Sequence, residues 1–353
     1  MIADAGAGPE RGGAAADEEE WRATRAWVER RLSQGERVHE VVRLRGGWTS
    51  RMRRLDVHGP CGRRSLVLRS FVTPFFLRHA EGLLTREASV LRLLGGTDVP
   101  APTPIAVDAT ARHCDHPSLL MSLLPGNVRL GDDGVERRTT LLARQLLRIH
   151  RVRVPAADRP RAYQAWTSPA QVRPPDATAR PELWRRAVDG IRREPPEHVA
   201  RFLHRDFHPG NVLFTEERDE SDEHDERDRD GGDGGGGLRI TGVVDWVETS
   251  WGPADLDVAH CSTALALLHG VPTGMRFADQ YVAAGGTLTA DAGGHLYWRL
   301  LDAPAFAPDA EKVAVPWRGL GRTDLTPAVV SGRLEDYVQT LFDRYGDRPH
   351  AHP

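Results

Sequence analysis

The segment from 204 to 245 constrains the fold of this chain more than any other part of its sequence. It opens with HRDFHPGN at 204–211 and contains two short apolar runs, at 211–214 and 239–244, separated by an acidic, glycine-rich stretch. We predict a β-hairpin with a long insertion at its tip, because each doubling of a flexible loop costs only about 0.6 kcal/mol. Asp245 directly follows the second run and is therefore expected at a strand end.

The acidic stretch at 215–237 is interpreted as a disordered insertion. It holds eleven Asp and Glu against three Arg, a net charge of −8 in a chain whose net charge is −3. Such a composition cannot bury enough apolar surface to offset the entropy of ordering, and the fixed ligand positions of a calcium loop are missing. Residues 1–18 are small, polar and acidic, and we predict a disordered tail there for the same reason.

The composition argues against several classes of protein. The 353 residues include three cysteines far apart, Cys61, Cys114 and Cys261, in no disulfide or zinc-ligand pattern, which favours a reducing, cytoplasmic setting. No apolar run approaches the roughly 20 residues that span a bilayer, so neither a membrane span nor an export signal is predicted. The arginines are scattered rather than gathered into a stripe, and we expect no nucleic-acid partner. Lys312 is the only lysine.

The hydrophobic periodicity divides the chain into two regions. In the first, residues 19–124, strand alternation and one helical pattern indicate a small antiparallel sheet with a helix; the strands are expected at 38–44, 52–57, 65–69 and 118–124, and the helix at 81–94. Pro125 and Gly126 end the last strand and mark the expected hinge. Helical patterns dominate the second region, residues 125–353. The predicted fold class is therefore α+β, with a small N-lobe and a mainly helical C-lobe.

Asp206, Asn211 and Asp245 are the residue types that phosphoryl transfer requires. That reaction needs a base that orients the acceptor, and oxygen ligands that hold magnesium on the nucleotide phosphates. Asp206 and Asn211, five positions apart, can place a carboxylate and an amide oxygen on one loop, and Asp245 would add a second metal ligand. We interpret His204 as a structural residue that holds this loop through hydrogen bonds.

The run HRDFHPGNVLF at 204–214, together with the aspartate of GVVDW, resembles the catalytic and metal-binding loops of the aminoglycoside phosphotransferase and choline kinase-like family. The resemblance implies a two-lobed, protein-kinase-like fold, with Asp206 as catalytic base and Asn211 and Asp245 as Mg²⁺ ligands. GPADLDVA at 252–259 resembles the segment whose later aspartate supports the catalytic loop, which implies that role for Asp257. ATP or GTP would be the co-substrate, and a small-molecule hydroxyl, such as that of an aminoglycoside, the acceptor.

In the first region, LVLR at 66–69 resembles the strand that carries a basic residue to the α- and β-phosphates. The resemblance implies that role for Arg69, where lysine is more common, and makes Glu87 its partner. An ordinary surface ion pair, which would contribute little, is the alternative for the two residues.

Two further nucleotide contacts are implied by the resemblance. The backbone N–H groups of Gly46 and Gly47, in the turn RGGWTS, would cover the phosphates, and the backbone at Met121 and Leu123 would contact the purine. The turn lacks the full G-x-G-x-x-G spacing, so a plain hairpin is the alternative.

Two other functions compete with phosphoryl transfer. His204, Asp206 and His208 alternate as the ligands of a metallo-hydrolase would, with His260 as a fourth; against this, Pro209-Gly210 breaks any strand and Asn211 is left without a role. A nucleotide-binding pseudokinase is supported only by the arginine at position 69. Tyr297, Trp298 and Asp302 are acceptor-site candidates on pattern alone, and aromatic residues at helical spacing are more often core.

Overall fold

The computed structural model describes residues 21–44, 50–176, 178–216 and 237–346. The predicted tail at 1–18, nearly all of the acidic stretch, and the turn glycines Gly46 and Gly47 lie outside the described residues. Within the described ranges, no helix is long and apolar enough to cross a membrane.

The first region forms one antiparallel sheet with helices on either side. Its strands are β1 (Arg37–Leu44), β2 (Arg51–Gly59), β3 (Gly62–Ser70), β4 (Pro104–Asp108) and β5 (Ser118–Ser122), in the order β1-β2-β3-β5-β4. Its helices are α1 (Arg22–Glu29), α2 (Pro74–Leu77) and α3 (Ala80–Leu94). Because side chains alternate along a strand, Leu66 and Leu68 of β3 pack in the cluster that contains α1, whereas Val67 packs in the cluster that contains α3. Arg69 shares the α3 face with Val67.

Helix α3 forms where the sequence predicts it and carries a functional candidate on its buried face. Leu84, Ala88, Leu91 and Leu94 are buried at intervals of three and four residues, and the helix ends at Gly95. Glu87 lies three positions after Leu84 and is buried on the same face, although it is acidic. A buried carboxylate requires a partner, and the strand opposite provides Arg69.

The second region is mainly helical, as predicted. Its helices are α4 (Val135–His150), α5 (Pro181–Ile191), α6 (Ala254–His269), α7 (Val271–Ala283), α8 (Ala292–Asp302), α9 (Glu311–Gly319) and α10 (Pro327–Tyr345). Four short strands complete it: β6 (Ala200–Leu203), β7 (Val212–Glu216), β8 (Leu238–Val243) and β9 (Ser250–Pro253), which pair as β6-β9 and β7-β8. The architecture confirms the predicted α+β class, with the antiparallel sheet first and the helical region second.

Helix α6 is the central element of the second region. All of its residues from Ala254 to Leu268 are buried, so the helix is enclosed by other elements around nearly its whole circumference. It packs against α7, α8, α10 and β6. Two of the polar side chains on α6, Asp257 and His260, are therefore held in a rigid setting, and their spacing of three places them on one face.

The β7-β8 hairpin confirms the predicted pairing of the two apolar runs. Val212 lies opposite Val243, and the pairing extends to Glu216 opposite Leu238. One step beyond, the N–H of Val244 donates to the carbonyl of Asn211 at 3.0 Å. The hairpin thus brings Asn211 beside the residue that precedes Asp245, although 33 positions separate Asn211 from Val244 in the sequence.

Replacing residues 217–236 with a four-residue Gly/Asn/Ser linker is expected to leave the fold intact. Because Glu216 and Leu238 are paired, a short turn can close the hairpin, and shortening the loop should raise the free energy of unfolding by about 1 kcal/mol. Urea denaturation measures the change. As a control, Leu213→Ala in the buried part of the hairpin should lower the free energy of unfolding by about 2–5 kcal/mol. A non-cooperative transition in the shortened chain would contradict the prediction.

Candidate active site

The loop between β6 and β7 carries the polar residues that the sequence singled out. It begins after Leu203 and ends in a short 3₁₀ turn, Pro209–Asn211, that leads into β7. Arg205 has φ = 72° and Asp245 has φ = 69°, the left-handed region that side chains rarely adopt. Each costs about 1–3 kcal/mol, and such strain is concentrated at functional sites.

Asp257 holds the start of this loop in position through hydrogen bonds to its backbone. Its carboxylate accepts hydrogen bonds from the backbone N–H of His204 and of Arg205, both at 2.8 Å, and contacts Nε2 of His150 at 3.1 Å. Nδ1 of His150 lies 2.7 Å from the hydroxyl of Tyr281. Burial alone would raise the pKa of Asp257, but the hydrogen bond with His150 and the charge of Arg205 lower it. The strained conformation at Arg205 is therefore fixed by charge-assisted hydrogen bonds.

His204 fixes the loop from a second direction. Its Nδ1 accepts the N–H of Asp206 at 3.2 Å, so Nε2 carries the proton and donates to the carbonyl of Val244 at 3.0 Å. The ring is fully buried, and burial lowers its pKa. Both ring nitrogens are occupied by backbone groups, so His204 is not available to a metal. This geometry removes the metallo-hydrolase interpretation of the His204, Asp206 and His208 pattern.

Asp206 lies at the centre of the site and is partly open, with 29% of its side chain exposed. Nδ2 of Asn211 donates both to the carbonyl oxygen and to Oδ2 of Asp206, each at 2.9 Å. These bonds turn Oδ1 of Asn211 away from Asp206. In the described part of the chain no hydrogen-bond donor reaches that oxygen or Oδ2 of Asp245, whose Oδ1 accepts from Arg69.

A buried histidine on α6 contacts the other oxygen of Asp206. Nε2 of His260 lies 3.2 Å from Asp206 Oδ1, and Nδ1 lies 3.1 Å from Asp302 Oδ1. Burial alone would lower the pKa of His260, but the carboxylates of Asp302 and Asp206 raise it to about 9. His260 is therefore protonated at neutral pH. Burial would raise the pKa of Asp206, but His260 and His208 lower it, so that Asp206 is ionised.

His208 is the neutral neighbour of this pair. Its Nδ1 accepts the N–H of Gly210 at 3.0 Å, and burial lowers its pKa to about 4, against the attraction of Asp206. A Cβ at position 210 would come within 2.7 Å of the His208 ring, so glycine is required there. The sequence His-Pro-Gly thus encodes a tight turn closed by its own histidine.

Arg69 joins the two lobes at the site. Its Nη1 donates to Glu87 at 3.0 Å and to Asp245 Oδ1 at 2.9 Å. Arg69 and Glu87 are 3% and 1% exposed, which excludes the alternative of a surface ion pair. Burial would lower the pKa of Arg69, but Asp245 and Glu87 raise it. One guanidinium therefore links the sheet, α3 and the end of β8.

One cavity between the lobes, with a volume of about 750 Å³, is lined by Asp206 and the side chains around it. That volume lies within the range of cofactor and ligand sites, about 300–1,000 Å³. Its wall includes Ser50, Met52, Arg69, Glu87 and Met121 from the first region, Asp206, Asn211 and Asp245 from the loops, and Trp166, His208, His260, Phe306, Lys312 and Trp317 from the second region.

The sequence-predicted residues are not all brought together. Met121 lines the cavity, but Leu123 does not, and the N–H of Leu123 donates to the carbonyl of Ser65 at 3.4 Å. Among the candidates from pattern alone, Tyr297 and Trp298 are buried in a core cluster, and Asp302 holds His260.

Sequence reasoning missed the aromatic part of the cavity wall. Trp166 lies in a segment without regular structure, Phe306 in a short 3₁₀ helix and Trp317 in α9. The sequence pattern indicates His260 only as a possible metal ligand. No periodic signal marks these positions; only the singular occurrence of Lys312 in an arginine-rich chain could have drawn attention to this wall.

Comparison with known proteins agrees with this geometry. The model of a family described as the phosphotransferase enzyme family matches residues 40–221, which include the sheet and the loop around Asp206. No curated protein sequence matches the chain significantly.

Solved structures share the fold at low sequence identity. A putative aminoglycoside phosphotransferase from Ralstonia eutropha has a TM-score of 0.58 and 16% identity, covering 92% of this chain and 97% of its own. A thermostable mutant of aminoglycoside phosphotransferase APH(4)-Ia, in a ternary complex with ADP and hygromycin B, has a TM-score of 0.53 and 18% identity over 86% and 95%. Macrolide 2'-phosphotransferase type I has a TM-score of 0.52 and 17% identity over 91% and 97%. These likenesses confirm the predicted protein-kinase-like fold.

His260 is expected to titrate at about pH 9 in the folded chain, and Asp302→Asn should lower this pKa. Since the folded pKa exceeds the unfolded value near 6.5, the stabilisation from protonated His260 is complete below pH 6.5 and is lost as the pH rises through about 9. NMR titration of the imidazole measures the pKa. As a control, Asp255→Asn, which replaces a buried carboxylate on α6, should leave the pKa of His260 unchanged. A His260 that titrates below 6.5 in the unmodified chain would contradict the prediction.

Proposed function

Because the chain belongs to the phosphotransferase enzyme family, we propose that it transfers the γ-phosphoryl group of a nucleoside triphosphate, ATP or GTP, to a hydroxyl of a small molecule. The observation that carries this proposal is one cavity that contains Asp206, Asn211, Asp245 and Arg69. Protein-kinase-like phosphoryl transfer uses a base, two oxygen ligands for metal and a cation near the phosphates, and these four side chains are of the required types.

In the proposed reaction, the acceptor hydroxyl oxygen attacks the γ-phosphorus. A new O–P bond forms, the bond from the γ-phosphorus to the β–γ bridging oxygen breaks, and its electron pair leaves with the nucleoside diphosphate. The hydroxyl proton passes to the carboxylate of Asp206. Since the pKa of Asp206 is lowered, it is a weak base, and its main contribution is to orient the hydroxyl, as suits a loose transition state.

Asn211 and Asp245 fit a Mg²⁺ ion bound with the nucleotide. Each offers one oxygen, Oδ1 of Asn211 and Oδ2 of Asp245, that accepts no hydrogen bond from the described residues. Hard oxygen donors from few protein ligands, completed by phosphates and water, are what Mg²⁺ prefers. When bound, the ion would neutralise charge on the phosphates.

Arg69 would contribute positive charge to the phosphate end of the cavity. Glu87 holds its guanidinium from the α3 side, and Asp245 holds it from the C-lobe. A guanidinium remains charged in such a buried setting, where an ammonium can lose its proton. This supports the role that the sequence predicted for Arg69 and weakens the pseudokinase alternative, which rested on this arginine alone. Purine contacts at Met121 and Leu123 remain predictions.

The acceptor is proposed to be a small-molecule alcohol. The solved relatives are described with hygromycin B or as macrolide phosphotransferases, so aminoglycosides and macrolides are the first compounds to test. Fold likeness alone does not carry a substrate from one protein to another, because function depends on the site.

Asp206→Asn should lower kcat by at least about 100-fold while changing the nucleotide Kd by less than about threefold. The substitution removes the proton acceptor but keeps the shape that Asn211 contacts. Coupled detection of nucleoside diphosphate release, with mass spectrometry of the product, measures transfer. Asp189→Asn on the exposed surface of α5 is the matched control. Turnover retained by Asp206→Asn would refute its assignment as the base.

Asp245→Asn should raise the Mg²⁺ concentration needed for half-maximal nucleotide binding by about tenfold or more. The neutral amide keeps an oxygen near Arg69 but removes the charge that attracts the ion. Calorimetric titration of nucleotide at a series of Mg²⁺ concentrations measures this dependence. An unchanged Mg²⁺ dependence would exclude Asp245 as a ligand.

A further inference from the structure

The second-region side of the cavity has a chemistry of its own. We call the residues on this side the acceptor wall: Trp166, His208, His260, Phe306, Lys312 and Trp317. The wall adjoins Asp206 through His260, so a molecule whose hydroxyl meets Asp206 must lie against it.

The aromatic rings of the wall are fixed in position. The ring of Trp166 stands edge-on to His260, with centroids 4.7 Å apart, and the guanidinium of Arg205 lies 4.6 Å from its centroid. Phe306 stacks on His260 at 5.4 Å. These flat surfaces are suited to a ring or another apolar body, because aromatic side chains offer a large apolar contact area.

The carboxylates of the cavity are already committed. Arg69 pairs with Glu87 and Asp245, Arg161 pairs with Glu248, and protonated His260 lies against Asp206. Among the residues that the structure describes, no cavity carboxylate lacks a cationic partner. An acceptor with several ammonium groups would therefore compete with the protein's own cations for these carboxylates.

Lys312 presents the opposite charge at the same wall. Its Nζ donates to the carbonyl of Ala305 at 2.6 Å and lies 4.7 Å from the ring centroid of Phe306 and 6.0 Å from that of Trp166. Within the described ranges, no carboxylate comes within ion-pair distance of it. An ammonium group has three N–H donors, so two remain for a ligand.

The surroundings of Lys312 favour an anionic partner. Although the residue as a whole is exposed, desolvation of its ammonium group lowers the pKa of that group, against the attraction of Asp302 and Asp206, so an anion bound beside it would favour the charged form. Lys312 is also the only lysine among 47 lysine and arginine residues. The one position where the chain departs from arginine lies on this wall.

On the premise of the proposed phosphotransferase function, we infer that the acceptor is an amphipathic alcohol with an apolar or aromatic body and one anionic group, such as a carboxylate, bound by Lys312. The hydroxyl meets Asp206, the body lies between Trp166 and Phe306, and the anionic group pairs with the ammonium. The charge of such an acceptor is opposite to that of a polycationic aminoglycoside.

Three matched probes test the inference: para-(hydroxymethyl)benzoate, its methyl ester and para-(hydroxymethyl)benzylamine. Each is titrated into the full chain loaded with Mg²⁺ and a non-hydrolysable ATP analogue, and tryptophan fluorescence reports binding. The benzoate should bind about tenfold more tightly than the amine. Lys312→Met should remove this preference by raising the Kd of the benzoate, and Lys312→Arg should retain most of it. Arg318→Met, which removes a cation of α9 outside the cavity, should leave the order unchanged.

Several results would overturn the inference: an amine that binds as tightly as the benzoate, no binding of the benzoate, or an equal effect of Lys312→Met on all three probes. Failure of the proposed function gives a different result. If the chain is not a phosphotransferase, no Asp206-dependent transfer of a phosphoryl group from ATP to a probe or to water will be detected, whatever the order of probe binding.

Discussion

The buried carboxylate of Asp257 is the interaction on which the site depends. It accepts two backbone N–H groups at the start of the loop between β6 and β7, and so compensates for the left-handed conformation at Arg205, the residue before Asp206. Removing one partner of a buried charge costs about 3–5 kcal/mol, so the loop cannot relax without a large loss of stability. Because Asp257 lies on the wholly buried helix α6, the position of Asp206 is set by the core of the C-lobe.

Arg69 extends this rigidity across the two lobes. Its contacts with Glu87 and Asp245 connect β3, α3 and the end of β8 through one guanidinium. Three buried or half-buried charges are stable together only if they compensate one another, which ties the geometry of the N-lobe to that of the loops. Binding of phosphates and Mg²⁺ would compete for Arg69 and Asp245, so the nucleotide would act on the contact that joins the lobes.

The proximity of Asn211 and Asp245 could be predicted from the sequence because the two residues flank paired strands. Asn211 and Asp245 each adjoin an apolar run, and a hairpin must pair the two runs. The acceptor wall could not be predicted. Trp166, Phe306 and Lys312 come from separate segments that only the packing of helices brings together, and each residue alone has an ordinary structural explanation. The roles of His260 and Asp302 also depend on proximity, since nothing in their spacing of 42 positions predicts contact.

The loop around Asp206 is held by contacts within the fold, whereas the acceptor wall is assembled from separate segments. This difference explains how the fold persists at 16–18% identity. Asp257 holds the backbone that precedes Asp206, and Asn211 and His260 contact the two oxygens of the Asp206 carboxylate. Asp206 therefore does not depend on Trp166, Phe306 or Lys312 for its position. Side chains of the acceptor wall can therefore change while the loop around Asp206 keeps its geometry, so the charge of this wall is free to differ between proteins that share the fold.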